Sequence, residues 1–217
     1  MIDINKKIRS ISAERMRQDL FQLCGGPQPF RKANYTRPGH TLNSLAETDA
    51  YIRGELDTLG YEVITTTHQA QAFRCDEAKP LHHWYATPDP TDPFYNISNL
   101  ETTRRGQIFP ERFIQLISHK DSMSWIDSPG AHDNAVGTAA NLELARILAN
   151  CELRHSVGVL FCNEEHTPWT SRFAAEAAAE REDNIIAVLN NDSLDGKSDE
   201  DMAAEKMSHV ICYSTAE

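Results

Sequence analysis

The chain has 217 residues, enough for one substantial core, and its 40% hydrophobic and 24% charged residues exclude a wholly disordered polymer. A formal net charge of −11 argues against nucleic acid as a partner, since that binding rests on Lys and Arg neutralising phosphates. The five cysteines, Cys24, Cys75, Cys151, Cys162 and Cys212, form neither a CxxC motif nor a disulfide framework. The charged first residues lack the apolar stretch of a signal peptide, and nothing approaches the ~20 apolar residues of a membrane span, so a cytoplasmic chain is expected.

Ser12 precedes an apolar spacing of Met16, Leu20 and Leu23 that ends at Gly25-Gly26-Pro27, which predicts a surface helix. Ser44 and Glu47 have capping-box spacing, and the helix they open runs through Ile52, Leu56 and Leu59 to Gly60. Residues 61–67 are rich in β-branched side chains and read as a strand. Residues 68–93, punctuated by Pro80, Pro88, Pro90 and Pro93, are the least legible, and His82-His83 is an adjacent pair without companions at ligand spacing. Residues 95–100 predict the next strand, with Arg104-Arg105-Gly106 as the turn after it.

Residues 113–165 carry the chemistry. An apolar run, 113–118, stops at His119-Lys120-Asp121-Ser122. A loop with Gly130 and Asp133 leads into a helical pattern over 135–149, and a second buried run, 157–162, ends in Asn163-Glu164-Glu165. This is a βαβ unit, and ligands in open α/β sheets bind beyond the carboxyl ends of the strands. His119, Glu164 and Glu165 should therefore face one crevice, with Asp133 joining from the helix's amino end. A third apolar run, 185–189, delivers Asp192 to the same edge. Imidazole and carboxylate together suit a divalent metal such as zinc, and neighbouring glutamates diverge, so one can coordinate while the other faces a water. Each residue also has a plainer reading: His119 as a satisfied core histidine, Asp133 as a helix cap, Asp192 as a turn residue. His132 and His166 are assigned to loop structure, Trp169 either to a substrate pocket or to packing on an Ala-rich helix over 172–181, and Cys162 to the core. Residues 195–201 form an acidic loop, residues 210–213 start one more strand, and His209 lies at the wrong end of that strand to reach the crevice.

The blocks Ser118-His119-Lys120-Asp121-Ser122, Ser128-Pro129-Gly130-Ala131-His132-Asp133-Asn134-Ala135-Val136-Gly137, Leu142-Glu143-Leu144-Ala145-Arg146, Asn163-Glu164-Glu165 and Leu189-Asn190-Asn191-Asp192-Ser193 resemble, in order and spacing, the dizinc aminopeptidases of the bacterial leucyl aminopeptidase, glutamate carboxypeptidase and transferrin receptor type. The resemblance implies an α/β fold of three layers, a mostly parallel twisted sheet flanked by helices. One domain over 1–217 is expected, with a helical segment at 1–60 and the metal-site core at 95–193. It implies two zinc ions, one held by His119 and Asp192, the other by Glu165 and a histidine, with Asp133 bridging. Asp121 would orient His119, and Glu164 would be the general base acting on a metal-activated water. The family's later histidine has no counterpart before Glu217, so the domain is expected to be incomplete at its carboxyl end. The implied activity is aminopeptidase hydrolysis of peptides. Alternatives are a dinuclear N-acyl or carbamoyl amidohydrolase acting on a small amide, and a non-catalytic domain of the same fold.

Overall fold

Amphipathic spacing at the amino end folds as expected. In the computed structural model, which describes residues 4–194 and 198–205, a short helix α1 (Ile4–Ile8) precedes α2 (Ala13–Cys24), whose N-cap Ser12 accepts a hydrogen bond from the Arg15 amide. Helix α3 (Ser44–Thr58) departs from the predicted capping box: Asn43 is the cap, accepting from the Ala46 amide, and Glu47 turns instead to Arg37 and His40. Gly60 ends it with a left-handed φ of 77°, the conformation a side chain would resist.

The strands run longer than their apolar runs. Strand β1 (Ile64–Ala72) continues through the segment that read least clearly, followed by the two-residue strands β2 (Arg74–Cys75) and β3 (Tyr85–Ala86), which pair with each other. Then come β4 (Phe94–Arg104), β5 (Phe109–His119), helix α4 (Val136–Leu148), β6 (His155–Cys162), the short β7 (His166–Thr167), α5 (Thr170–Glu180), β8 (Asn184–Asn190) and α6 (Asp199–Ala203). The sequence expectations at His209 and residues 210–213, and residues 195–197 of the acidic loop, lie outside the described residues.

Six strands form one sheet in the order β7-β1-β4-β6-β5-β8. The sheet is mixed: β6, β5 and β8 pair in parallel, while β7, β1, β4 and β6 pair antiparallel. Parallel pairing is confined to the half built by the βαβ crossovers, and the expected parallel character holds there.

Helices α3 and α4 cover one face. Ile52 and Leu56 of α3, Leu142 and Ala145 of α4, and Leu100, Leu116, Val159 and Phe161 of the sheet form the principal core. The alternation of Val157, Val159 and Phe161 towards that core is the period-2 pattern of a strand between two layers. Asp19 on α2 accepts from Tyr51 Oη at 2.6 Å and faces Arg146 of α4, which locks three helices together. Helix α5 lies on the other face, where a groove of about 430 Å³ runs between it and the sheet past Glu101, Phe113, Ile117, Leu160 and Ala178. Edge strand β8 leaves Val188 and Leu189 more than half exposed.

Candidate metal centre

The parallel half of the sheet gathers the expected residues at its carboxyl edge. Strand β5 ends on His119, 3% exposed, and the chain turns so that the fully buried Asp121 comes back beneath it. The His119 Nδ1 atom lies 3.3 Å from Asp121 Oδ1, which leaves Nε2 facing outwards. Asp121 does more than orient one imidazole. It accepts from the backbone amides of Glu164 at 3.0 Å and Glu165 at 2.8 Å, and its Oδ2 lies 2.8 Å from Nδ1 of His166. Nε2 of His166 accepts from the Ala33 amide at 3.1 Å, so its Nδ1 carries the proton and donates to Asp121. One carboxylate thus fixes the ends of both β5 and β6.

Asp133 and Asp192 complete the edge. Gly130, at φ 57° and ψ 41°, opens the turn that carries Asp133; an added Cβ there would collide with the Asp133 carbonyl, Ser122 and Arg31. Asp133 has extended backbone angles and does not cap α4; its neighbour Asn134 takes that task, accepting from the Gly137 amide at 2.9 Å. Asn134 also donates to the Asn191 carbonyl at 2.9 Å, and Asn191 donates to Asn141, which donates to Ser118 Oγ on β5. This chain of amides ties the Asp192 loop to α4 and β5. Gly137 has to lack a side chain because the Asn191 carbonyl and the Asn134 amide occupy the space a Cβ would need.

Nε2 of His119 is 2.9 Å from Asp133 Oδ1 and 3.6 Å from Asp192 Oδ1. One donor atom from each of the three residues lies within 4.8 Å of the others. Glu165 stands outside this close triad, half-buried. Glu164 is half-buried on the adjacent position, with its Oε1 3.9 Å from the buried Sγ of Cys162.

The charges are mutually adjusted. Burial alone would depress the His119 pKa, but hydrogen bonds with Asp121, Asp133 and Asp192 outweigh it and hold the imidazolium form well above its usual range. Burial opposes ionisation of Asp121 too, yet the hydrogen bonds from His119 and His166 keep its carboxyl far below the ordinary carboxylate value. The Asp192 carboxyl is lowered chiefly by its hydrogen bond with His119. Glu165 goes the other way: burial, then the charges of Asp121 and Asp133, raise it to about 8. Carboxylates therefore outnumber the cations available to them, and protons on His119 and Glu165 offset the surplus.

Sequence reasoning named His119, Asp121, Asp133, Glu164, Glu165 and Asp192, and all six lie along this edge. It assigned His166 to a loop, whereas the ring is fully buried in β7 and holds Asp121. His132 is exposed, and Trp169 is 57% exposed at the start of α5 rather than packed beneath it. Sequence reasoning missed two fully buried cations. Lys120 Nζ is 2.8 Å from Asp49 Oδ1 and donates to Asn163 Oδ1 at 2.7 Å; Arg31 is fully buried behind the site. Lys120 sits between His119 and Asp121 in the sequence, a position from which burial was inferable. Arg31 carries no sequence signal, because its partners are backbone carbonyls.

A mixed α/β domain that brings an imidazole and several carboxylates to the carboxyl ends of parallel strands has the architecture of a metallopeptidase. The profile described as Peptidase family M28 matches residues 99–212, just over half of the 217 residues. The chain belongs to that family. Among curated proteins it is similar to a probable zinc metalloprotease of Pyricularia oryzae, 36% identical over 107 residues, covering 45% of this chain and 21% of that one. A probable zinc metalloprotease of Pyrenophora tritici-repentis is 31% identical over 160 residues, covering 70% and 33%. The chain thus spans a third or less of the length of these two relatives. In fold it is similar to the aminopeptidase from Aneurinibacillus sp. strain AM-1, with a TM-score of 0.66 at 13% identity, covering 86% of this chain and 71% of that one. A glutaminyl cyclase from an Acidobacteriales bacterium gives 0.61 at 16% identity, covering 83% and 58%.

Proposed function

We propose that this chain supplies the metal-binding part of a zinc-dependent aminopeptidase, hydrolysing the amino-terminal bond of peptides. The observation that carries the reading is the convergence of His119, Asp133 and Asp192 within 4.8 Å, beside the Glu164-Glu165 pair anchored on Asp121, in a chain of peptidase family M28. The donor set fits zinc: one imidazole with its other nitrogen on a carboxylate, and carboxylates that already crowd a protonated ring. His119 and Asp192 would hold one ion and Glu165 a second, with Asp133 shared between them. When bound, zinc supplies Lewis acidity and lowers the pKa of the attacking water.

The protein's own residues do the remaining work. Asp121 holds His119 with Nε2 turned outwards and pins the amides on either side of the glutamate pair, so the two carboxylates leave the backbone from fixed points. Glu164 is the proton carrier: it accepts a proton as water attacks the peptide carbonyl and delivers it to the departing amine. Glu165 and Asp133 would hold the metal, which leaves the proton transfer to Glu164.

Glu164→Gln tests the assignment because it keeps size and hydrogen-bonding capacity while removing the basic oxygen. Turnover of an aminoacyl anilide by zinc-loaded protein should fall about 100-fold or more, the range of a lost general base, with zinc content unchanged. Turnover equal to wild type would reject Glu164 as the base. Metal analysis showing no zinc retained by the wild type would reject the metal reading itself.

A further inference from the structure

We infer that Arg31 is a positioning residue of the metal centre, a buried fork that sets the distance between the His119-Asp121 turn and the loop carrying Asp133. The inference rests on the metal-binding reading above only for its functional consequence; the structural part stands without metal.

Arg31 is fully buried, yet no carboxylate touches its guanidinium among the described residues. Its four hydrogen bonds all go to backbone carbonyls. Nε donates to Lys120 at 2.7 Å, Nη1 to Leu23 at 2.7 Å and Pro129 at 2.6 Å, and Nη2 to Gly130 at 2.9 Å. The Lys120 carbonyl lies between His119 and Asp121. The Gly130 carbonyl also accepts from the Ala135 amide at 2.9 Å, closing the turn that presents Asp133. The same planar group therefore grips both segments that converge on the site and fastens them to the end of α2.

The backbone around Arg31 repeats the connection. Its amide donates to Ser122 Oγ at 3.0 Å, and its carbonyl accepts from the Ser122 amide at 2.9 Å. Its neighbours continue along the same loop. Lys32 Nζ reaches the Ile126 carbonyl at 3.2 Å and Asp127 Oδ1 at 2.6 Å, and Asn34 donates to the Ser124 carbonyl at 2.9 Å. Residues 31–34 thus form a strap across residues 122–130, with Arg31 as its innermost contact. A buried cation without a counter-ion is costly, and a core staple could be built from apolar residues. Only a fork with donors at fixed angles can hold carbonyls from three segments at once, and lysine, with donors on one atom, cannot span them.

The test compares Arg31→Lys, which keeps the charge and loses the fork, with Arg31→Met, which loses both, in the full chain. Leu56→Ala, in the core between α3 and the sheet, serves as a control that destabilises away from the site. Hydrogen exchange of chelator-treated protein reads the loop directly. Both Arg31 variants should exchange the Ser122 and Ala135 amides about tenfold faster or more, as expected for the loss of a buried hydrogen bond holding the turn. Zinc affinity, measured by competition with a chromophoric chelator, should fall about 10- to 100-fold in both, the range for lost support of a ligand. Leu56→Ala should lower the melting temperature without either change. Wild-type exchange and affinity in Arg31→Lys would overturn the inference, since charge alone would then suffice. Equal loosening of the loop in Leu56→Ala would overturn it as well, by reducing the effect to global stability. If the wild type binds no zinc, the metal-binding reading fails, and the exchange measurement alone decides whether Arg31 positions the loop.

Discussion

Glu165→Gln in the metal-free protein gives the clearest test of the electrostatics. Burial first, then the charges of Asp121 and Asp133, raise the Glu165 pKa from 4.5 to about 8. The difference, 8 − 4.5, is 3.5, and at ~1.36 kcal/mol for each unit the ionised side chain destabilises the fold by about 5 kcal/mol relative to the unfolded chain. Between these two values the folded protein binds more protons than the unfolded one, so stability falls as pH rises. The contribution of the protonated side chain is whole below about pH 4.5 and lost as the pH passes through about 8. Glutamine keeps the shape and never ionises. Urea unfolding of chelator-treated wild type and variant at pH 5 and pH 9 should show the variant gaining most of that ~5 kcal/mol relative to wild type across the interval. Unfolding free energies that change in parallel would refute the picture of a carboxylate surplus. Adding zinc at pH 9 should stabilise the wild type more than the variant, because only the wild type keeps Glu165 as a ligand.

Two further substitutions probe what lies behind the ligands. Lys120→Met leaves Asp49, whose pKa burial already raises, without its cation; urea unfolding should show a loss of about 3–5 kcal/mol, partly recovered in Lys120→Met with Asp49→Leu. Asp121→Asn keeps the shape of the hub and removes its charge, so zinc affinity by chelator competition should fall about 10- to 100-fold. The same variant tests acid stability. The Asp121 carboxyl is depressed in the fold, so its contribution is present above about pH 4 and declines as the pH falls below that, and the variant should show a shallower acid transition by circular dichroism.

How much of this was legible in the sequence depended on where the partners lie. The strands ending at His119 and Cys162 were readable because apolar runs stop abruptly at polar residues, and the crevice followed from strand direction. The cap of α3 was misread by one residue: Asn43 and Ser44 are both good caps, and Glu47 is drawn away by Arg37 and His40, ten and seven residues earlier, contacts no local pattern reveals. Strand β1 was placed three residues early because the Thr-rich stretch is only its exposed beginning, while its buried end, Ala70 and Gln71, pairs with β4 and β7. His166 was discounted because it matches no ligand position. Its importance appears only when β7 is seen to bring it against an aspartate 45 residues away.

The acidic character of the site and the buried cations behind it belong to one balance. Lys120 is matched by Asp49, so Arg31 is the buried charge left facing Asp121 and Asp133 without direct contact. Burial lowers the Arg31 pKa to about 10, which still leaves it fully charged at neutral pH. One such charge does not neutralise Asp121, Asp133, Asp192 and the glutamate pair, and the remainder is met by protons on His119 and Glu165 in the absence of metal. A divalent cation at the His119-Asp133-Asp192 triad would compete with the proton on His119 for the same carboxylates. Metal uptake should therefore release protons and strengthen as the pH rises, a consequence of how the strand ends crowd their carboxylates.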